Sequence, residues 1–497
     1  MPAPPFARLL VANRGEIAIR VIRACRELGI SPIAIHSDAD VDALHVRLAD
    51  RSERIGPPAA RDSYLSIEAV VDAARRAGAE AIHPGYGFLS EDATFARAVE
   101  GAGLVFVGPP PSALEALGNK LAARRSAAEA GVPIVPGTTV ALEDDVAAVA
   151  DIGYPVMLKA AAGGGGRGMR RVDTPDDLRP AMEAARREAA SAFGDGTIYV
   201  ERLVSPARHV EVQLLGDRHG SLAVLGERDC SVQRRHQKLV EESPSPAIDG
   251  ATRQALFDSA RRVAGTVDFH NAATVEFLVA DDGSHFFLEM NTRLQVEHGV
   301  TELVTGLDLV AWQIRIAAGE RLPPDLLEAP RRGHAIEVRI YAEDPYDGFR
   351  PTSGRIGAWE MPSGPGVRVD AGIEADCDLR PEYDPLLAKL MVHAADRPSA
   401  IRRLGRALDE TLVGGLQTDA GFLRWLVDEH GFAAGDYDTG LIADRWVAGP
   451  PLSDTDRGLA AFAAAEGRRE APRATADQSP VVGSAWGELG RREALRG

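Results

Sequence analysis

The stretch ARLLVANRGEIAIRVIRACRELGISPIAIHS, residues 7–37, determines the fold of the first part of the chain. It predicts a buried strand, a glycine turn, a helix over 16–28 and a second strand. The same alternation continues to about residue 115, with helices predicted near 66–76 and 91–99. Strands that alternate with helices predict a parallel α/β domain, and in such sheets ligands bind where the strands end.

The rest of the chain has a different pattern. A helix is predicted over 112–130, and short strands, helices and a hairpin then predict an α+β block to about residue 320. A third mixed block follows, and after Gly449 the composition turns to Ala, Arg, Glu and Pro without periodicity. We therefore predict a multidomain chain of α/β and α+β class, divided into an N-terminal domain at 1–115, a middle domain at 116–325, a C-terminal domain at 326–449 and a linker or tail at 450–497.

Composition limits the class of protein. The 497 residues are 45% hydrophobic and 26% charged, as is typical of a soluble globular protein. A formal net charge of -17 disfavours a nucleic acid partner, because such a surface repels phosphates. No apolar run and no N-terminal pattern indicates a membrane span or a secretory signal, so we expect a cytoplasmic protein. The cysteines, Cys25, Cys230 and Cys377, are far apart, and we expect them to be reduced packing residues.

Lysine is rare in this chain. Arginine supplies 52 of the 56 basic residues, and the only lysines are Lys120, Lys159, Lys238 and Lys389. A position that keeps lysine in such a background can require a compact ammonium in place of a planar guanidinium. Three of the four lie in segments with other signs of chemistry, and we expect those three to be functional.

A run of glycines, 163–166 and 168, follows Lys159. It contains GxGxxG, but MRRV comes next, so the run joins two strands and is not a dinucleotide fingerprint. No GxxxxGK[ST] motif is present either. A glycine hairpin whose backbone amides close over phosphates is the preferred interpretation, with a flexible connection as the alternative.

The segment VEFLVADDGSHFFLEMN, residues 275–291, predicts a hairpin with the two-residue turn Asp282-Gly283. Pairing the residues that flank this turn places Glu276 directly opposite Glu289, with Asn291 on the same face. Facing carboxylates repel each other unless one is protonated or a cation lies between them. Together with an amide oxygen they are ligands that Mg²⁺ prefers, which predicts a metal site. Solvated acids on an outer sheet face are the alternative.

Polar residues continue beyond the hairpin at every second position. If the segment stays extended, one edge carries an acid, an amide, a cation, an amide and an acid, which are Glu289, Asn291, Arg293, Gln295 and Glu297. A metal end, an arginine for an anion and an acid that takes a proton predict an active site.

A cationic cluster in ERDCSVQRRHQKLVEES predicts a site for a small anion or a nucleotide. Its members are Gln233, Arg234, Arg235, His236 and Lys238. Taken singly, His209 and His236 are as well explained by ordinary packing.

Five motifs together resemble biotin carboxylase, an ATP-grasp enzyme that is the first component of acetyl-CoA, propionyl-CoA and pyruvate carboxylases. They are NRGEIA, HPGYGFLSE, KAAAGGGGRGM, ERDCSVQRRHQKLVEESP and EMNTRLQVEH. The resemblance covers about residues 5–447. It implies a Rossmann-like pre-ATP-grasp domain, an ATP-grasp domain with a glycine-rich lid at about 133–205, and a biotin carboxylase C-terminal domain.

The resemblance also implies roles for individual residues. The nucleotide contacts would be Lys120, Lys159, His209, Gln233, His236, Glu276, Leu278 and Glu289. The lid would contain Gly163, Gly164, Gly165, Gly166, Gly168 and Met169, and the adenine hinge Glu201, Arg202, Leu203 and Val204. Arg202 stands where the family usually has lysine. The metal ligands would be Glu276, Glu289 and Asn291, the bicarbonate site Lys238, Arg293, Gln295 and Val296, the base Glu297, and the biotin contacts Arg339 and Tyr86.

The implied reaction uses ATP, Mg²⁺ or Mn²⁺, bicarbonate and biotin on a separate carrier. Bicarbonate, deprotonated by Glu297, would attack the γ-phosphate to give carboxyphosphate, and Arg339 would steady the ureido oxygen of biotin. This is the first half-reaction of an acyl-CoA carboxylase, such as the acetyl-CoA carboxylase of fatty acid biosynthesis, with a pyruvate or other carboxylase as the alternative. The implied partners are a biotin carboxyl carrier protein in trans, a carboxyltransferase subunit and a second copy of the chain.

Two other classes of protein remain open from the residues alone. Another ATP-grasp ligase, of the carbamoyl-phosphate or purine-pathway type, would share the metal and nucleotide residues but not the run at 293–297 or Arg339. A regulatory subunit that binds nucleotide without turnover is disfavoured, because each inferred catalytic position is filled.

Overall fold

The N-terminal strands pair in parallel, as the strand and helix alternation predicts. The computed structural model describes residues 4–138, 147–161 and 169–446. The first elements are β1 (Arg8–Val11), α1 (Gly15–Glu27), β2 (Ser31–Ser37), α2 (Leu44–Leu48), β3 (Arg51–Gly56), α3 (Ile67–Ala77), β4 (Ala81–His83), α4 (Ala93–Gly101), β5 (Val105–Phe106) and α5 (Pro111–Gly118). The described strands form one parallel sheet in the order β3-β2-β1-β4-β5. Ile17 and Val21 of α1 pack against Leu9 and Val11, which anchors the helix on the sheet.

The helix predicted over 112–130 is in fact two helices. Asn119 has extended backbone between them (φ -92°, ψ 115°), and its side chain accepts a hydrogen bond from the Ala122 N–H. Asparagine caps a helix more favourably than it sits inside one. The break makes Lys120 the first residue of the second helix.

The middle of the chain builds an antiparallel sheet and a smaller one. Its elements are α6 (Lys120–Glu129), α7 (Ala147–Ile152), β6 (Val156–Ala160), β7 (Arg170–Val172), α8 (Pro175–Phe193), β8 (Ile198–Arg202), β9 (Arg208–Gly216), β10 (Leu222–Arg234), β11 (Gln237–Ser243), α9 (Gly250–Ala264), β12 (Asn271–Val279), β13 (His285–Asn291), α10 (His298–Thr305), α11 (Leu309–Ala317) and α12 (Pro324–Leu327). The small sheet has the order β7-β6-β8. β6 and β7 pair antiparallel, so strands flank the glycine run as predicted, whereas the glycines at 163–166 and 168 lie outside the described residues.

The C-terminal part completes the large sheet. Its elements are β14 (His334–Tyr341), β15 (Glu343–Asp344), β16 (Arg350–Pro351), β17 (Gly354–Arg355), β18 (Ala358–Glu360), β19 (Val367–Ala371), β20 (Asp378–Leu379), β21 (Leu386–Ala394), α13 (Arg397–Asp409), β22 (Leu412–Gly414), α14 (Ala420–Asp428), α15 (His430–Ala434) and α16 (Leu441–Arg445). Over the described residues the large sheet has the order β13-β12-β9-β10-β11-β14-β21-β19. Strands of the middle and C-terminal parts therefore share one sheet, and the mixed α/β and α+β class is confirmed.

The predicted pairing of Glu276 with Glu289 is confirmed, but the predicted turn is wrong. Three residues, 281–283, form the turn, because Gly283 in the left-handed region (φ 81°) closes it one residue earlier on the first strand. The register is thereby shifted by one, so that Phe277 pairs with Phe287. A bulge between Glu276 and Phe277 restores the predicted register and brings the two carboxylates opposite each other.

Two expectations from composition can be compared directly with the structure. Cys25 and Cys230 are buried, and none of the three cysteines forms a disulfide within the described part. None of the helices in 4–138, 147–161 and 169–446 is both long enough and apolar enough to span a membrane.

Candidate active site

Three carboxylates lie side by side across neighbouring strands of the large sheet. Glu276 of β12 pairs with Glu289 of β13 on one side and with Glu211 of β9 on the other. Glu211 is fully buried and Glu276 almost so. Like charges in such positions destabilise a sheet unless cations compensate them. The row therefore requires cationic partners.

Lys238 is the central cation. Its Nζ lies 2.6 Å from Oε2 of Glu211, 3.0 Å from Oε1 of Glu276 and 2.8 Å from Oε1 of Glu297. Burial alone would lower the pKa of Lys238, but the three carboxylates hold that pKa well above its ordinary value. The ammonium is thus charged at neutral pH and joins three strands to the start of α10.

Two further cations lie at the ends of the carboxylate row. Nε2 of His209 is 2.6 Å from Oε2 of Glu276, and Gln233 lies 3.2 Å from the other ring nitrogen of that histidine. Nζ of Lys120 is 2.8 Å from Oε2 of Glu289. Burial opposes the charge of Lys120, yet the Glu289 carboxylate raises its pKa. His209 is therefore a partner of the row and not an ordinary packing residue.

The predicted metal ligands lie together. The Asn291 side chain is 2.8 Å from Oε1 of Glu276 and 3.5 Å from Oε1 of Glu289. His209, Glu211 and Glu276 also present possible ligand atoms within 4.8 Å of one another. Because carboxylate and amide oxygens are the ligands that a hard divalent cation takes, the donor set fits Mg²⁺.

The run after the hairpin does not stay extended throughout. β13 ends at Asn291, and at Glu297 (φ -82°, ψ 16°) the chain turns into α10. The expectation of one straight polar edge is wrong, because this turn starts the helix. The side chains still converge, with Gln295 3.3 Å from Glu276 and Arg293 3.1 Å from both Gln295 and Asn291.

Arg293 has a partner that the sequence did not suggest. Its Nε donates to Oε2 of Glu91 at 2.8 Å, and the other oxygen of that carboxylate accepts from the Thr292 N–H. Glu91 belongs to the HPGYGFLSE motif of the N-terminal part. The contact therefore ties that motif to the run at 293–297.

Arg339 of β14 closes the other side of Glu297. Its Nη2 lies 2.9 Å from Oε2 of Glu297 and 2.5 Å from Oε1 of Glu241. Burial would raise the pKa of Glu297, but Lys238 and Arg339 hold it well below the ordinary value. Nε of Arg339 is buried and has no hydrogen-bond partner among the residues that the structure describes. Such an unpaired donor is suited to a ligand oxygen.

Tyr86 lies beside a second buried ion pair. Its hydroxyl donates to Glu16, whose Oε1 is 3.3 Å from Nζ of Lys389. Lys389 also donates to the backbone carbonyl of Val296 at 2.8 Å. The fourth lysine, for which the sequence indicated no function, therefore connects Tyr86 with Val296.

The residues predicted for the nucleotide form a second group. Glu201 of β8 is ion-paired with Lys159 of β6 and, at 2.6 Å, with Arg124. The next two N–H groups, of Arg202 and Leu203, donate to backbone carbonyls at 2.7 and 2.9 Å. Arg202 is exposed, Leu203, Val204, Met169 and Leu278 are half-buried, and Leu278 pairs with His209 across the sheet.

The predicted cationic cluster is not one anion site. Lys238 turns to carboxylates, Arg234 lies 3.8 Å from Glu343, and Arg235 and His236 are exposed in the turn between β10 and β11. Adjacent residues of a tight hairpin point in different directions, so sequence proximity does not bring their side chains together.

Two buried residues of the site were missed from the sequence. Arg228 is fully buried and donates to Glu211, to Gln213 at 2.7 Å and to Thr301 at 2.8 Å. A signal for Glu211 was present, because His209, Glu211 and Gln213 alternate along an otherwise apolar strand. Three polar residues on one buried face indicate a polar network.

The chain matches three family models in succession. Residues 5–114 match the biotin carboxylase N-terminal domain, residues 119–324 the ATP-binding domain of the carbamoyl-phosphate synthase L chain, and residues 337–444 the biotin carboxylase C-terminal domain. The two outer matches distinguish this chain from other ATP-grasp ligases.

Known proteins resemble it over most of its length. It is 49% identical to a biotin carboxylase of Halalkalibacterium halodurans, over 88% of this chain and 98% of that protein. It is 47% identical to the propionyl-CoA carboxylase alpha chain of Ruegeria pomeroyi, over 93% and 72%. The biotin carboxylase domain dimer of Hydrogenobacter thermophilus 2-oxoglutarate carboxylase, solved with MgADP, ADP and bicarbonate, is 43% identical with a TM-score of 0.86, over 89% and 98%. The chain therefore belongs to the biotin carboxylase family, and it is an ATP-dependent ligase with the ATP-grasp fold.

Proposed function

We propose that the observed cluster carboxylates biotin with ATP and bicarbonate, and that Glu297 is the base at its centre. The supporting observation is that Glu297 has one oxygen 2.8 Å from Lys238 and the other 2.9 Å from Arg339. The lysine belongs to the carboxylate row, and the arginine faces the side on which Tyr86 lies. Glu297 is thus within reach of an anion held on either side.

The residues of the row bind the nucleotide end of the reaction. Lys120, Lys159, His209, Gln233 and His236 contact ATP, together with the hinge at 201–204 and the lid at 163–169. Glu276, Glu289 and Asn291 hold Mg²⁺, which when bound neutralises charge on the phosphates. Lys120 is 2.8 Å from Glu289, so it compensates this carboxylate and is placed close to a phosphate.

Bicarbonate binds between Lys238, Arg293, Gln295 and Val296. Its O–H proton passes to Glu297, and the resulting oxyanion attacks the γ-phosphorus. The bond from that phosphorus to the bridging oxygen of ADP breaks, which gives carboxyphosphate and ADP. Because the pKa of Glu297 lies below its ordinary value, the carboxylate is deprotonated at neutral pH and can accept the proton.

Biotin is carboxylated in the second step. Carboxyphosphate divides into CO2 and phosphate, and the phosphate takes the N1′ proton while that nitrogen forms its bond to CO2. Arg339, whose buried Nε lacks a partner in the described part of the chain, donates to the ureido oxygen as negative charge develops on it. Tyr86 forms the neighbouring wall.

Bicarbonate labelled with heavy oxygen tests this route. Attack by a bicarbonate oxygen leaves one labelled oxygen in the phosphate released, and mass spectrometry of that phosphate detects it. Unlabelled phosphate, formed while biotin is carboxylated, would exclude carboxyphosphate. Water labelled in the same way is the control and must leave the phosphate unlabelled.

We further propose that the chain serves an acyl-CoA carboxylase in the cytoplasm, as a homodimer, with the biotin on a carrier protein in trans. The 47% identity to a propionyl-CoA carboxylase alpha chain supports an acyl-CoA, and a pyruvate or other carboxylase is the alternative. Reconstitution with a carrier and a carboxyltransferase of the same organism tests it. Carboxylation of acetyl-CoA or propionyl-CoA is expected, and carboxylation of pyruvate alone would contradict the proposal.

A further inference from the structure

A second pair of facing carboxylates lies behind the proposed active site. Glu241 of β11 pairs directly with Glu337 of β14, and both side chains are fully buried. This arrangement matches the pair of Glu276 and Glu289, but the proposed reaction gives it no role. Such a pair is costly in a core unless one carboxyl is neutral or a cation lies beside it.

Glu337 is the neutral member. Neither of its carboxyl oxygens has a hydrogen-bond partner among the described residues. Burial raises the pKa of Glu337 well above its ordinary value; Lys389 opposes this rise and the charge of Glu241 adds to it. An ionised carboxylate without partners in a buried site would be very costly, so Glu337 carries a proton.

Glu241 is the member that contacts the site. Its Oε1 lies 2.5 Å from Nη2 of Arg339, and the same nitrogen is 2.9 Å from Oε2 of Glu297. The side chain of Arg339 is 8% exposed, and both carboxylates are fully buried. One buried guanidinium nitrogen is therefore shared between a carboxylate that reacts and a carboxylate to which the reaction gives no role.

We propose that Glu241 is a positioning residue, which holds Arg339 in place for the ureido oxygen of biotin while Glu297 changes its charge. This inference rests on the proposed function. When Glu297 accepts the bicarbonate proton it loses its negative charge, and Arg339 loses one of its two anionic partners. A buried guanidinium left without a partner is strongly destabilised. Glu241 keeps the guanidinium paired, and it neither gains nor loses a proton in the step.

Glu241→Gln tests the role, because it removes the charge and keeps the size. With free biotin as the probe, we expect kcat/KM for biotin to fall roughly tenfold or more, the scale of a displaced charge-stabilising donor. The KM for bicarbonate, measured by ATP cleavage without biotin, should change much less. Glu337→Gln is the matched control on the opposite strand, since it replaces a carboxyl that is already neutral, and it should leave both constants near those of the parent.

Each other outcome has a defined meaning. If Glu241→Gln lowers both constants and the melting temperature together, or changes neither constant, Glu241 does not position Arg339. If Glu337→Gln has the larger effect on kcat/KM for biotin, the assignment within the pair is wrong. A parent protein that does not respond to biotin contradicts the proposed function itself, which is distinct from these results.

Discussion

Nζ of Lys238 lies 2.8 Å from Oε1 of Glu297, although 59 positions separate the two residues in the sequence. The same ammonium contacts Glu211 and Glu276 of the carboxylate row. One compact cation therefore joins the proposed base to the proposed metal site. A guanidinium is larger and planar, and it cannot make these three contacts without displacing at least one carboxylate.

Lys238→Arg is the substitution that the sequence itself uses at almost every other cation. We expect ATP cleavage with bicarbonate to fall roughly 10²-fold or more, because a charge-stabilising donor is misplaced. ADP affinity, measured by calorimetry, should change little. Arg235→Lys, at an exposed position in the same hairpin, is the control and should behave as the parent. Turnover near that of the parent in Lys238→Arg would mean that the rarity of lysine carries no functional information.

Glu289→Gln tests the metal pair. The substitution removes one of two facing charges, so the hairpin should stay folded, and the free protein should melt within a few degrees of the parent. The rise in melting temperature on adding MgATP should be smaller, since ligand stabilisation follows affinity. Asp281→Asn, an exposed carboxylate in the turn of the same hairpin, should keep the full rise. Unfolding of Glu289→Gln without ligand would show that the acids serve the fold alone.

The chain should not become biotinylated itself. All four lysines are largely buried: the side chain of Lys389 is 0% exposed, and those of Lys159, Lys238 and Lys120 are 7%, 12% and 18% exposed. Each is ion-paired with a glutamate. We expect no streptavidin signal after coexpression with a biotin ligase, under conditions in which a biotin carrier protein is labelled. A strong band at the mass of this chain would contradict the expectation.

Stability should fall as the pH drops below 6.5, in part because of His45. This histidine is fully buried, and burial lowers its pKa from 6.5 to about 4. Between these two pH values the unfolded chain binds a proton that the folded chain does not, so unfolding becomes easier. One such group contributes up to about 1.4 kcal/mol for each pH unit.

Urea unfolding at several pH values measures this effect. In His45→Asn the free energy of unfolding should depend less steeply on pH between 6.5 and 4 than in the parent, whatever its value at pH 7. Equal slopes in the two proteins would show that His45 does not titrate in the way its burial implies.

The site could be predicted from the sequence where one local pattern brings its residues together. Glu276 and Glu289 lie in a single hairpin, so strand alternation and one turn fix their distance. Even there the turn length was wrong, and the pairing is preserved only by a bulge, which no residue type announces.

Residues on distant strands could not be found in this way. Glu241 meets Glu337, and Arg339 meets Lys389, only because β11, β14 and β21 are neighbours in the large sheet. That order depends on pairings between strands about 50 to 150 residues apart in the sequence, and local alternation does not specify such pairings. Lys389 could be identified only as a lysine in an apolar strand.

The central claim is that Glu297 passes the bicarbonate proton in an ATP-driven carboxylation of biotin. The most direct measurement incubates the purified chain with MgATP, radiolabelled bicarbonate and free biotin, and follows ADP and acid-labile labelled carboxybiotin together. We expect the parent to form both products, with ADP formation dependent on bicarbonate. Glu297→Gln should bind ADP normally and form neither product above about 1% of the parent rate, the loss expected when a general base is removed. Carboxybiotin formed by Glu297→Gln at the parent rate, or ADP formed by the parent without bicarbonate, would contradict the claim.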